Sequence, residues 1–300
     1  MCQLCYARTD AAAHPVSRHS PWSPRRAFLL AAGTAVAAPV LAQVDVGDAS
    51  RLRTLVPAEE LEAAATQEYA KMMAEAKRQG ALASPGHPQF ERLRAVAARL
   101  IPHSAQWNDR AREWRWEVNL VGSKQINAFC MPGGKIAVYT GLLDQLRATD
   151  DELAMVVGHE MAHALREHAR ARIAKTQGTS VGLSVLSQVL GLGQLGDIAA
   201  DIGTQLLSLR FSRDDEIEAD LVGLELGARG GFRPEAAISL WEKMIQASGG
   251  SGGPAFLSTH PTGPDRIARL RENVPRVRGL YERAAATQGS SPSGGIPILR

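Results

Sequence analysis

Cysteine is scarce in this chain: three in 300 residues, at Cys2, Cys5 and Cys130. The first two precede an apolar run that reads as part of an export leader, so the chain beyond it keeps only Cys130. A single cysteine excludes an internal disulfide and a cysteine-built metal site. It leaves Cys130 to read as a small buried apolar residue. No cysteine follows the apolar run closely, which denies the chain a lipid-attachment residue. An excess of one charge is lacking too. Four of the 34 basic residues and one of the 31 acidic residues precede Gln43, leaving thirty of each and no net charge. The basic excess sits in the leader, so the pI near 8.9 gives no ground for a nucleic-acid partner, and none is expected. Internal repeats are absent as well.

What is present begins with "SPRRAFLLAAGTAVAAPVLAQ". Paired Arg25 and Arg26 precede an uncharged stretch from Ala27 to Ala42, closed by small residues, with Val40 and Ala42 at cleavage-type positions. The stretch is short and rich in alanine and glycine for a membrane span. With Phe28 and Leu29 after the arginines, residues 1–42 read as a twin-arginine-like export signal cleaved near Ala42, with the periplasm as destination. Residues 43–57 read as a linker.

Farther on, "PAEELEAAATQEYAKMMAEAKRQG" has helix punctuation, with Pro57 at the start and Gly80 at the end. A second helix is expected from Gln89 to about Leu100. "EWRWEVNLVG" alternates as a half-buried strand does, and "NAFCMPGGKIAVYTGLL" reads as strand, Pro-Gly-Gly turn and strand. Thr149 and Glu152 form a capping box ahead of an apolar run, with nothing to break that helix before Lys175. Residues 178–196 are uncharged and read as a buried or lid-forming helical region. "SRDDEIEADLVGLELGARGG" gives a helix acidic at its start and ended by glycine. Pro234 opens another, "SGGSGG" is a flexible loop, and "HPTGPDRIARLREN" supplies the last helix. Residues 276–300 read as a flexible tail.

The helix begun at Thr149 carries "VVGHEMAHALREH". Histidines at i and i+4 sit about 40° apart on a helix, so His159 and His163 can reach one ion at about 2.0–2.1 Å. Glu160 points to the edge of that face, where it can take a proton from metal-bound water. A third ligand is needed. The metzincin pattern requires Gly at 166 and His at 169, where this chain has Arg166 and Ala169, and that class is excluded. His168 falls about 140° around the helix from His163 and reads as a surface residue. Glu216 and Asp220 are the better candidates. They share a helix face with Gly223 and Gly227, and such a face can pack closely on the His159/His163 face. Glu216 would then reach the metal, and Asp220 would accept the outer N–H of a ligating histidine. Asp214, Asp215 and Glu218 read as solvated.

H-E-x-x-H followed by E-x-x-A-D resembles the gluzincin peptidases that include HtpX, the CAAX prenyl protease and the Oma-type proteases. "NAFCMPGGKIAVYTGLL", "FSRDDEIEAD" and "STHPTGPDRI" are similar to three further ordered blocks of that family. The resemblance runs from about residue 58 to 275, so 58–275 is expected to be one metallopeptidase domain. It is nearest to exported members of the BepA and LoiP type, without the TPR array of the one or the lipidated cysteine of the other. The resemblance implies a mixed α+β, mostly α, zincin-like fold with a small sheet beside the H-E-x-x-H helix. It implies one Zn2+ per chain, held by His159, His163 and Glu216, with Glu160 as general base and acid and Asp220 behind the ligands. His260 and Arg266 are placed near the metal. There His260 either stabilises an oxyanion or closes the open position as a fourth ligand. Asn127, Ala128 and Phe129 become the strand edge on which a peptide lies. The implied activity is proteolysis of misfolded or stalled envelope and outer-membrane proteins, with peripheral contact to the membrane or its assembly machinery. The rival is a latent member acting as a chaperone or assembly factor.

Overall fold

A computed structural model describes residues 44–180, 206, 209–248, 254–261 and 263–288. The region expected to form a lid, residues 178–196, lies outside these from residue 181 onward, as do the leader and most of the Gly-rich loop.

Helix α1 (Ala58–Arg78) follows Pro57 and buries Leu61, Ala65 and Tyr69. Tyr69 fastens it to the sheet, its hydroxyl donating to Ile136 O at 2.5 Å and accepting from Asn119 at 2.9 Å. Helix α2 (Pro88–Leu100) has proline in its first turn, where a missing N–H costs nothing. The sheet consists of β1 (Glu117–Val121), β2 (Ala128–Met131) and β3 (Lys135–Tyr139), in the order β1-β3-β2. β1 and β3 are parallel, while β2 and β3 form an antiparallel hairpin. Its turn runs through Gly133 and Gly134 at φ +82° and +77°. A Cβ on Gly134 would also meet the Trp116 ring at 2.8 Å, so glycine is required there twice over. β2 is thus an edge strand among the described residues.

After a short helix α3 (Thr140–Gln145), α4 (Asp150–Leu165) forms the centre of the molecule. Its capping box is present: Thr149 Oγ1 accepts from Glu152 N at 3.2 Å, and Glu152 Oε2 accepts from Thr149 N at 2.9 Å. Every residue from Glu152 to Leu165 is buried. Helix α6 (Arg213–Arg229) starts with a second capping box, Ser212 with Asp215. It crosses α4 at glycine: a Cβ on Gly223 would stand 2.7 Å from His159 N and 2.9 Å from Gly158 C. The expected close packing of these two faces is therefore real, backbone against backbone. Helices α7 (Ala236–Ser248), α8 (Phe256–Thr259) and α9 (Pro264–Gln288) complete the described residues. The result is mostly helical with one three-stranded sheet beside α4, as the fold class expected.

Three expectations need correction. The helix from Asp150 does not run to Lys175. It ends at Arg166, Glu167 takes φ +58°, and α5 (His168–Ser180) starts afresh. Glu167 is held in that costly conformation by Arg53, 2.8 Å away, and by Arg170 at 2.7 Å. Residues 43–57 are not a free linker from Val44 onward. Val44 is buried and donates its N–H to Glu225 Oε2 at 3.0 Å, Arg51–Leu55 is a 3-10 turn, and Arg170 bonds Val56 O. Nor is the chain loose from residue 276. Helix α9 continues through Pro275 to Gln288, because Leu270, Val274, Val277 and Leu280 recur near helical spacing and are buried.

Candidate metal centre

Four side chains converge where α4, α6 and the turn after α8 meet. His159 and His163 come from adjacent turns of α4, Glu216 from the first turn of α6, and His260 caps α8. All four are buried, and one ligand atom from each lies within 4.8 Å of every other. His159 Nε2 is 3.1 Å from His163 Nε2 and 3.3 Å from His260 Nδ1. Glu216 Oε1 is 3.0 Å from His260 Nδ1 and 3.5 Å from His163 Nε2. A tetrahedral ion with bonds of about 2.0–2.1 Å has ligand–ligand edges of about 3.3–3.4 Å. The observed separations scatter around that edge. The donor set, imidazole nitrogens and one carboxylate, suits a borderline cation such as zinc.

The electrostatics point the same way. Burial lowers the proton affinity of His159 and His163, favouring the neutral rings that offer lone pairs. His159 Nδ1 donates to Asp220 Oδ1 at 3.0 Å, leaving Nε2 free to face the cluster. Asp220 is saturated: Arg266 Nε and Nη2 donate at 2.7 and 2.8 Å, and Trp241 Nε1 at 3.1 Å. Burial alone would raise the Asp220 carboxyl, but the Arg266 guanidinium and these bonds bring it down to about 2. Arg266 Cζ stands over the Trp241 ring, 3.7 Å from its centre, and Nη1 stands 2.6 Å from Glu216 Oε2. That last contact is charge to charge, too far off line to be a hydrogen bond, so Glu216 Oε2 has no hydrogen-bond donor. On His260, burial opposes the charge, but the facing Glu160 and Glu216 outweigh it and raise its proton affinity.

Glu160 sits beside the four donors without joining them. Burial pushes its carboxyl up to about 7, its Oε1 has no hydrogen-bond partner, and His260 Nε2 lies 3.6 Å away. With His163 and His260 it lines a cleft that is also lined by Asn127 and by Ala128 and Phe129 of β2. Leu209 and Phe211 add apolar surface to the cleft. Arg266 does not line it; its side chain meets the two acids of α6, the Trp241 ring and the Pro261 carbonyl. All the residues expected from sequence at this site therefore lie at the cluster, behind it, or along its cleft.

The expectation that His168 is a surface residue is overturned: it is buried, with Nδ1 2.9 Å from His163 Nδ1, because the break at Glu167 turns it back over His163. Glu218 is not a solvated acid either: Arg166 bonds it, and His168 Nε2 lies 3.4 Å away. Two aromatic rings also escaped notice. Phe211 stacks on His163 with centroids 3.9 Å apart, and Phe256 on His260 at 4.3 Å. Phe211 stands directly before the Ser212 cap, a position from which a ring readily folds against the adjoining helix.

A family model described as peptidase family M48 matches residues 87–274. The mitochondrial metalloendopeptidase OMA1 of Schizosaccharomyces pombe is 36% identical over 194 residues, 64% of this chain and 55% of that protein. The metalloprotease LoiP of Escherichia coli is 30% identical over 158 residues, 51% of this chain and 60% of LoiP. The beta-barrel assembly-enhancing protease of Escherichia coli is 30% identical over 201 residues, 63% of this chain and 39% of that protein. The chain thus spans about half the length of the curated relatives it matches.

Proposed function

Because the chain belongs to peptidase family M48, whose model covers residues 87–274, we propose that it is a zinc-dependent endopeptidase acting on proteins of the cell envelope. The carrying observation is the convergence of His159, His163, Glu216 and His260 on one point, with Glu160 at its side, its Oε1 without a hydrogen-bond partner. His159, His163 and Glu216 would hold the metal. Lewis-acid polarisation of the scissile carbonyl and acidification of the attacking water come from the zinc when bound.

This chain's residues do the rest. Glu160, raised by burial to about 7, takes the proton of the attacking water and delivers it to the leaving amine. Asp220 keeps His159 in the tautomer that presents Nε2. The open edge of β2 aligns the substrate backbone by strand addition, with Asn127, Ala128 and Phe129 along the cleft. Misfolded or stalled outer-membrane proteins are the substrates we favour. The leader of residues 1–42 supports the periplasm as the place, and one relative's name concerns β-barrel assembly. Among the described residues no helix is long and apolar enough to cross a membrane.

The test is zinc content together with casein digestion, on wild type and Glu160→Gln. Expected is one zinc per chain in both, with digestion lost by at least about 100-fold in the variant. Digestion by the metal-loaded variant at the wild-type rate overturns the assignment.

A specific observation also favours a latent form. His260 Nδ1 takes the fourth corner, 3.3 Å from His159 Nε2 and 3.0 Å from Glu216 Oε1, where a working site keeps an open position. In this reading His260 closes the centre, and the chain serves partly as a chaperone or assembly factor. His260→Ala then raises casein digestion several-fold at unchanged zinc content. A fall instead assigns His260 to stabilising the oxyanion.

A further inference from the structure

The two α4 histidines are supported from behind in different ways, and only one support follows the usual histidine–carboxylate pattern. Behind His159 stands Asp220 directly. Behind His163 stands His168: its Nδ1 is 2.9 Å from His163 Nδ1, and both rings are buried. On its far side, His168 Nε2 approaches Glu218 Oε2 at 3.4 Å. Glu218 is in turn bonded by Arg166, whose Nη2 donates to Gly47 O at 2.7 Å. We propose that His168 is a positioning residue for the metal centre, holding the His163 ring through the contact between their Nδ1 atoms.

This proposal rests on the reading in which His163 ligates through Nε2, which puts its proton on Nδ1. That N–H then needs an acceptor, and His168 Nδ1 stands 2.9 Å from the nitrogen that carries it. The far nitrogen of His168 makes no hydrogen bond, although Glu218 Oε2 is 3.4 Å away, so the support reaches His163 from the His168 ring itself. Such a bond fixes the His163 tautomer and raises the basicity of its ligating atom. His168 does not line the cleft, so it acts through His163 and not on substrate. Its placement requires the positive φ of Glu167. That the fold maintains this strained residue beside the cluster suits a functional constraint.

The test compares zinc dissociation constants of wild type, His168→Phe and His168→Asn by competition with a chromophoric chelator, alongside thermal melts. Phenylalanine keeps a ring without an acceptor; asparagine places Oδ1 about where Nδ1 stood. Expected is a loss of about 10–100-fold for the phenylalanine variant, with asparagine recovering most of it. Wild-type affinity in the phenylalanine variant overturns the proposal, and so does an equal loss in both, which would mark a packing role. Should His168→Phe not fold, His168→Leu takes its place: zinc binding weaker than in His168→Asn supports the His168 bond, and equal binding overturns it. A wild type that binds no zinc sinks the metal reading itself, whereas tight wild-type binding matched by the phenylalanine variant sinks only the role of His168.

Discussion

The His159 side and the His163 side of the cluster start from one helix, yet they are built by different means. Behind His159, Asp220 is held by two arginine nitrogens and an indole, and Arg266 is clamped over Trp241. This is a buried, fully paired block made where α4, α6, α7 and α9 meet. Behind His163, the His168 ring stands between it and a carboxylate with 18% of its side chain exposed. That arrangement depends on one strained residue and on the segment Val44–Val56. The difference separates rigidity from adjustability within a single site: one ligand is fixed by the core, the other by a clasp.

The comparison can be broken most forcefully at Asp220. Asp220→Ala removes the acceptor of His159 and leaves Arg266 buried with fewer partners, so it is expected to cost about 3–5 kcal/mol. Glu218→Ala, on the partly exposed side, is expected to cost well under half of that, since Arg166 keeps its bond to Gly47 O. Urea midpoints of the two variants measure the contrast, and equal losses would dissolve it. Next in size is Gly223→Ala. The added methyl meets the backbone of Gly158 and His159 at 2.7–2.9 Å, which should cost about 1–3 kcal/mol and loosen zinc through the His159 side. The smallest effect belongs to the clasp. Arg53→Ala removes a partly exposed ion pair to Glu167 and should change global stability by no more than about 1 kcal/mol. Amide exchange around Arg166–Arg170 should nevertheless quicken, because the positive φ loses one of its restraints. Unchanged exchange there would mean that the break holds itself.

Legibility follows the same division. The capping box at Thr149, the i and i+4 histidines, the acids of α6 and the glycine face beneath them are local patterns with one economical packing. The structure realises that packing down to contact between Gly158 and Gly223. The strand–turn–strand of the β2–β3 hairpin was equally readable, because Gly133 and Gly134 permit what few other residues would. The break at Glu167 carried no such sign. Neither glycine nor proline stands there, and the residues that impose it include Arg53, far upstream in the chain. For the same reason the segment after Val44 looked like a linker: its anchor is Glu225 on a distant helix. Helix α9 runs past residue 276, where the sequence reads as a tail, because burial of Val277 and Leu280 carries it on to Gln288.

The sequence by itself determined the family, the ligand types and the helix that presents two of them, since spacing on a helix fixes which side chains share a face. Only the tertiary structure decided that His168 stands behind His163 and that His260 reaches the fourth corner. It likewise decided that Arg266 serves the acids and not the cleft. Each of these depends on where separate elements meet, and a single backbone conformation at Glu167, stabilised from outside its own helix, was enough to turn a residue read as surface into the ligand's support.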